Sequence, residues 1–187
     1  MALQPPVVPT KTSLISIDTI IEQGSVRTNA RVADLGCGRS LFLLYDHSTL
    51  VGNKGLVYGV DVLPEVVESA ERDISHHRLA SIKMLRADLE PQNGVPLPTG
   101  SIDAAFLINT LHQSHNSLAM MTEALRLVKK GGHLVIVDWS ASLSPLGPKP
   151  SQRLAHEHVI EMAEMIGTKR LDKFNPGLYH YGITVTK

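Results

Sequence analysis

The stretch Arg31-Val32-Ala33-Asp34-Leu35-Gly36-Cys37-Gly38-Arg39-Ser40 constrains this chain more than any other. Its apolar start, flanked by polarity, reads as a short buried strand. The strand breaks into two glycines spaced one apart, and an apolar run from Leu41 follows, as a helix would. Glycines in a strand-to-helix turn let backbone approach a ligand closely, because no Cβ stands in the way. Asp34 precedes them, so a carboxylate at the strand tip is placed to take a ligand's ammonium group. A dinucleotide-binding turn needs a third glycine three places after the second. Leu41 occupies that place, so the turn is not of that kind.

A chain of 187 residues suits one domain with a sizeable core. With 18 acidic residues against 18 Lys and Arg, no broad nucleic-acid or membrane surface is expected. One cysteine, Cys37, excludes an internal disulfide framework and a Cys-rich metal site. No apolar run reaches the roughly 18 residues of a membrane span. The first residues lack the basic start and apolar core of a signal peptide, so a cytoplasmic location is expected. Residues 1–14 read as a flexible arm and 15–187 as a single domain; a homodimer is admitted but not required.

Along the chain, Ser16 to Gly24 reads as a short helix closed by its glycine, and Leu41 to Leu50 as an apolar helix. Leu56 to Asp61 is a second strand ending on an acid about 25 residues after Gly36, near the spacing of a ribose-binding carboxylate. Pro64-Glu65 opens a helix with an apolar face at Val66, Val67, Ala70 and Ile74. Ser81 to Asp88 is a third strand, and Ile102 to Ile108 a fourth, apolar enough to be buried on both faces. Asn116-Ser117 caps a helix that stops at Lys129-Lys130-Gly131-Gly132, before a fifth strand, His133 to Asp138. A Ser/Pro/Gly-rich loop at 139–152, a helix at 155–166 and two short strands near 169–174 and 178–186 complete the chain. Five strands alternating with helices predict a parallel sheet covered on both faces, with an antiparallel closing hairpin. Asp34, Asp61, Asp88, Asn109 and Asp138 all fall at strand C-terminal ends, where such folds bind ligands.

With these positions in hand, the chain resembles class I S-adenosylmethionine (SAM)-dependent methyltransferases from about residue 15 onward, most closely the ubiquinone/menaquinone C-methyltransferase-like group. Asp34-x-Gly36-x-Gly38 resembles motif I, and Leu127 to Leu134 resembles the family's helix-to-strand passage. The ending Tyr179-His180-Tyr181-Gly182-Ile183 looks like that of small members. The resemblance implies a Rossmann-like, doubly wound, mostly parallel seven-stranded sheet with helices on both faces. It implies SAM as cofactor and S-adenosylhomocysteine as product. Asp34, Gly36, Cys37, Gly38 and Ser40 would wrap the methionine part. Asp61, with Val62 beside it, would grip the ribose hydroxyls. Asp88 would stand near the adenine amino group with Leu89 over the ring, and Asn109, Thr110 and Leu111 would meet the methionine end. Ser40 departs from the family, which usually has glycine there, and bears on affinity.

His112, which follows the fourth strand, is the candidate base if the acceptor must lose a proton. Trp139, Tyr179, His180 and Tyr181 are candidates for the acceptor pocket; on a strand, Tyr179 and Tyr181 would share a face. His112 and His115 are three apart, but no third ligand accompanies them, so no metal is expected. His156 and His158 read as solvated. The acceptor expected is a small molecule. Two other readings stay open: a methyltransferase-fold binding protein without catalysis, and, more remotely, a nicotinamide-dependent enzyme.

Overall fold

The computed structural model describes residues 14–39, 42–140, 146–168 and 170–187, apart from the side chains of residues 42, 43 and 45. The arm up to residue 13, Ser40, Leu41 and loop residues 141–145 lie outside the described residues.

The elements are α1 (Ile17–Gln23), β1 (Arg31–Leu35), α2 (Phe42–Val51), β2 (Leu56–Asp61), α3 (Pro64–His77), β3 (Ile82–Arg86), β4 (Ile102–Ile108), α4 (Ser117–Leu127), β5 (Val128–Trp139), α5 (His156–Met165), β6 (Arg170–Phe174) and β7 (His180–Thr186). They form a seven-stranded sheet in the order β3-β2-β1-β4-β5-β7-β6. The first five strands pair in parallel, and β7 pairs antiparallel with both β5 and β6. The order reverses between β1 and β4, which opens a crevice at their carboxyl ends.

Alternation along the strands feeds two cores. Ala33, Leu35, Ala105, Leu107 and Leu134 meet α4 and α5 on one face. Val32, Val57, Ala104, Phe106 and Val135 meet α1 and α2 on the other. Strand β4 is buried along its middle on both sides, as its composition requires.

Three details differ from expectation. Helix α4 ends at Leu127, and Val128 is already extended. Lys129 to Gly132 form a bulge between the pairs Ile102↔Val128 and Ala104↔His133, so these lysines and glycines do not cap the helix. Lys129 pairs instead with Asp103. The carbonyls at the end of α4 are met by Lys187 Nζ, which donates to Leu125, Arg126 and Val128. At the end of α1, Gly24 has φ −76°, and Ser25 takes the left-handed conformation. Gly24 is needed for space: a Cβ there would lie 2.4 Å from Phe106. Finally, β7 begins at His180, leaving Tyr179 in the turn, so the shared face expected for Tyr179 and Tyr181 does not arise.

Candidate functional site

The glycine turn closes over the tip of β1. Gly36 and Cys37 both donate their N–H groups to the Val60 carbonyl on β2. Gly36 has φ +76°, and a Cβ on it would sit 2.4 Å from Thr110 Cγ2, so the turn and the segment after β4 touch directly. The buried Thr110 hydroxyl reaches the Leu35 carbonyl at 3.2 Å. Thr110 is thus a buried support of the turn, while the buried Leu111 belongs to the core beside α4. Gly38 has φ +59°, and among the described residues nothing lies within 4 Å of where its Cβ would be.

Two carboxylates stand at the ends of β1 and β2 beside this turn. Asp61 accepts the Gly38 N–H through Oδ2 (2.9 Å) and the Leu63 N–H through Oδ1 (3.0 Å), which joins the ends of β1 and β2. Asp34 is buried; burial and the charge of Asp61 push its carboxyl up to about 7. Asn109 adopts φ +55°, and its Oδ1 is buried without a partner. A high-pKa carboxylate and an orphaned amide oxygen at one switch point form a cradle for a cationic, hydrogen-donating ligand. The remaining lone pairs of Asp61 suit a diol.

Outside the cradle, Asp88 is exposed and accepts the Glu90 N–H at 2.9 Å. Val62 and Leu63 stand about half exposed beside Asp61, an apolar ledge of which the sequence reading singled out only Val62. Leu89 is instead buried in the core under α4, because it follows the end of β3 on the covered face. The Cys37 thiol is buried and pushed up by burial and by Asp34 and Asp61, which makes it a poor nucleophile.

His112 lies in a 3-10 turn, Leu111–Gln113, after β4. Its Nδ1 lies 2.7 Å from Asp138 Oδ1, and its backbone N–H donates to Asp138 Oδ2 at 3.0 Å. Asp138 is fully buried at the tip of β5 and also accepts the Trp139 N–H at 2.7 Å. A buried carboxylate on Nδ1 selects the Nδ1–H tautomer and leaves Nε2 with its lone pair. Sequence reasoning placed Asp138 at a strand tip and gave it no role. Adjacency of β4 and β5 in the sheet was the signal that could have found it.

Beyond Asp138, Trp139 stacks on His180 with ring centroids 4.2 Å apart. Gly147 also packs against the indole, where a Cβ would come within 2.5 Å of Cε3. Arg153 ties this segment down, donating to the carbonyls of Ser140, Leu146 and Pro148. Both ring nitrogens of the buried His180 lack partners, and desolvation lowers its pKa. The Tyr181 hydroxyl is also buried without a partner. Tyr179 contributes its carbonyl to Ser140. His115 is exposed and its N–H is held by Glu90; His158 is exposed, while His156 packs 5.9 Å from the Tyr181 ring. Among the described residues, no group of three or more His, Cys, Asp or Glu is placed to hold a metal ion. Nor is any helix among them long and apolar enough to cross a membrane.

Sheet order, switch-point turn and strand-tip acids together define a class I SAM-dependent methyltransferase domain. The chain belongs to that family: residues 27–173 match the model described as a methyltransferase domain. It is similar to a SAM-dependent methyltransferase from Aquifex aeolicus, with TM-score 0.84 and 26% identity over 95% of this chain and 93% of that one. Among curated proteins it is 33% identical to aklanonic acid methyltransferase DauC of Streptomyces sp. (strain C5) over 43% of its own length. It is 30% identical to the ubiquinone/menaquinone biosynthesis C-methyltransferase UbiE of Coxiella burnetii (strain Dugway 5J108-111) over 69%. It spans only 38% and 51% of those two proteins, respectively.

Proposed function

We propose that this domain binds SAM at the β1–β4 switch point and transfers its methyl group to a small molecule. The observation that carries the reading is the cradle itself: Asp34 and the orphaned Asn109 oxygen at the β1–β4 switch point, with Asp61 tying the glycine turn to β2. Asp34 and Asn109 would hold the ammonium, Asp61 the ribose hydroxyls, and Val62 with Leu63 would flank the adenine. When bound, SAM supplies an electrophilic methyl group on a sulfonium, so the chemical reactivity is the cofactor's own.

The protein's share is positioning, and removal of a proton where the acceptor has one to lose. His112 is the base in this reading. Asp138 orients its ring and would stabilise the imidazolium formed when Nε2 takes the proton. The curated relatives carry names with different acceptors, aklanonic acid in one and a ubiquinone/menaquinone precursor in another. Small-molecule methylation is what they share, and it is what supports a small acceptor here.

Calorimetric titration with SAM and with S-adenosylhomocysteine tests the reading. Micromolar binding by the native chain, weakened at least tenfold in Asp61→Ala, is expected. A folded protein that binds neither ligand would overturn it and leave a fold used only as a scaffold.

A further inference from the structure

The balance of acidic and basic residues conceals an uneven distribution between the two ends of the sheet. Asp34, Asp61, Asp88 and Asp138 stand at or just past the carboxyl ends of their strands, around the candidate site. At the other end, the segments that lead into the parallel strands contain no Asp or Glu. These are residues 24–30 before β1, 52–55 before β2, 78–81 before β3, 98–101 before β4 and 129–132 in the bulge of β5. They carry Arg27, Lys54, Arg78, Lys129 and Lys130 instead.

The sheet sets these cations in a row. The Leu56 N–H donates to the Ala30 carbonyl and the Val57 N–H to the Ser81 carbonyl, which holds the first three loops side by side. Ile102 pairs with Val128, so the row continues across β4 to Lys130. From β3 to β5 is four strand spacings, about 19 Å. Arg27, Lys54, Arg78 and Lys130 are all exposed. Among the described residues none of the four has an ion pair or a side-chain hydrogen bond. Asp103, the second residue of β4, is the acid of this row, and Lys129 and the Arg31 N–H already engage it.

The flanks say what kind of anion fits. Glu22 near the end of α1 and Asp73 in the last two turns of α3 lie on one face of the sheet. Glu164 lies in the last turn of α5 on the other. These acids confine the positive field to a stripe along the strand ends. A flat anionic bilayer would press the flanking acids against its headgroups, whereas a single polyanionic strand can run between them. The five segments contain no aromatic residue, so bases would find nothing to stack on and contacts would fall on phosphates. We propose that this end of the domain binds a nucleic-acid strand through its phosphates, without regard to base sequence, while the candidate methyl-transfer site faces away. The stripe lies outside the SAM cradle, so the proposal goes beyond the methyltransferase reading and does not depend on it.

The test is fluorescence anisotropy of the whole chain with fluorescein-labelled oligouridylate and oligothymidylate of about 20 nucleotides, across a salt series. Both should bind, because phosphate is what they share. Four contacts predict a slope of log K against log salt of about −3, since each contact on a single strand gives about −0.7. The fourfold variant Arg27→Gln, Lys54→Gln, Arg78→Gln, Lys130→Gln should bind at least tenfold more weakly, with thermal unfolding unchanged. Each single exchange should flatten the slope by about 0.7, which decides the matter if the fourfold variant fails to fold. Lys149→Gln, beyond the tip of β5, should bind like the native chain. No binding of either strand at low salt, binding and slope that survive these exchanges in folded protein, or equally tight binding of polyglutamate would overturn the proposal. Binding confined to phosphatidylserine vesicles would also overturn it and assign the stripe to a membrane surface.

Discussion

At the scale of single residues, two buried titratable groups make the protein sensitive to pH. Asp34, raised to about 7, is largely protonated in the free protein at mildly acidic pH. A bound ammonium favours its ionised form, so binding expels a proton. SAM affinity should therefore rise with pH up to about 7 and level off above it. Calorimetry in buffers of different ionisation enthalpy should record the proton release, and Asp34→Asn should abolish it. His47 is fully buried in α2, stacked 4.4 Å from Phe106, and burial lowers its pKa to about 4. Its folded pKa lies below the ordinary 6.5, so the unfolded chain binds the extra proton. Its contribution to stability is constant above about 6.5 and declines as the pH falls toward 4, by about 3 kcal/mol in total. Denaturant titrations of His47→Leu should show a shallower acid loss than the native chain, and equal slopes would contradict the assignment.

At the scale of elements, α4 carries a latch. Glu123, almost fully buried, accepts the N–H groups of Asn93 and Val95 and pairs with Arg126 at 2.7 Å. Arg126 in turn donates to the carbonyls of Val95 and Leu97. Burial alone would raise the Glu123 carboxyl, but Arg126 and the two N–H groups outweigh it and hold it below the usual range. Glu123→Ala would leave two donors unmatched and the Arg126 guanidinium without its carboxylate partner, at a cost of about 3 kcal/mol measurable by urea unfolding. The strand-tip turn is equally unforgiving. Gly36→Ala places a Cβ both at positive φ and against Thr110, so the variant should lose SAM binding and at least about 1–2 kcal/mol of stability. Between β5 and α5, Arg153 pins the segment that covers Trp139. Because the chain has one tryptophan, Arg153→Ala should appear directly as a red shift of its emission.

At the scale of the whole molecule, the parallel half of the sheet carries the switch-point turn, and the antiparallel β7-β6 pair extends the sheet beyond β5. The catalytic candidate His112 sits between them because β4 and β5 are neighbours. A ligand that binds only the folded cradle must stabilise the whole domain. S-adenosylhomocysteine at a hundred times its dissociation constant should add about 2.7 kcal/mol to unfolding, and the gain should vanish in Asp61→Ala.

Strand composition and glycine spacing determined much of this by themselves. Alternating β and α segments of the right length leave few ways to bury both faces of a sheet. Thus the element order, the acid-tipped strands and the turn at Asp34-x-Gly36-x-Gly38 could be read from local pattern alone. Proline at the first position of α3 and Asn116 as the cap of α4 were legible for the same reason, since each acts on backbone within one turn. What tertiary structure decided were relations across the sheet. Lys129-Lys130-Gly131-Gly132 carries a helix-ending signature, yet pairing with β4 draws Val128 into the strand, and Lys187 from the far end of the chain caps the helix. Leu89 went to the core, Tyr179 to a turn, and Asp138 to His112, 26 residues away. Sequence patterns report which face a residue prefers. Which neighbour meets it there depends on strand order and register, and these are set only when the whole sheet closes around its two cores.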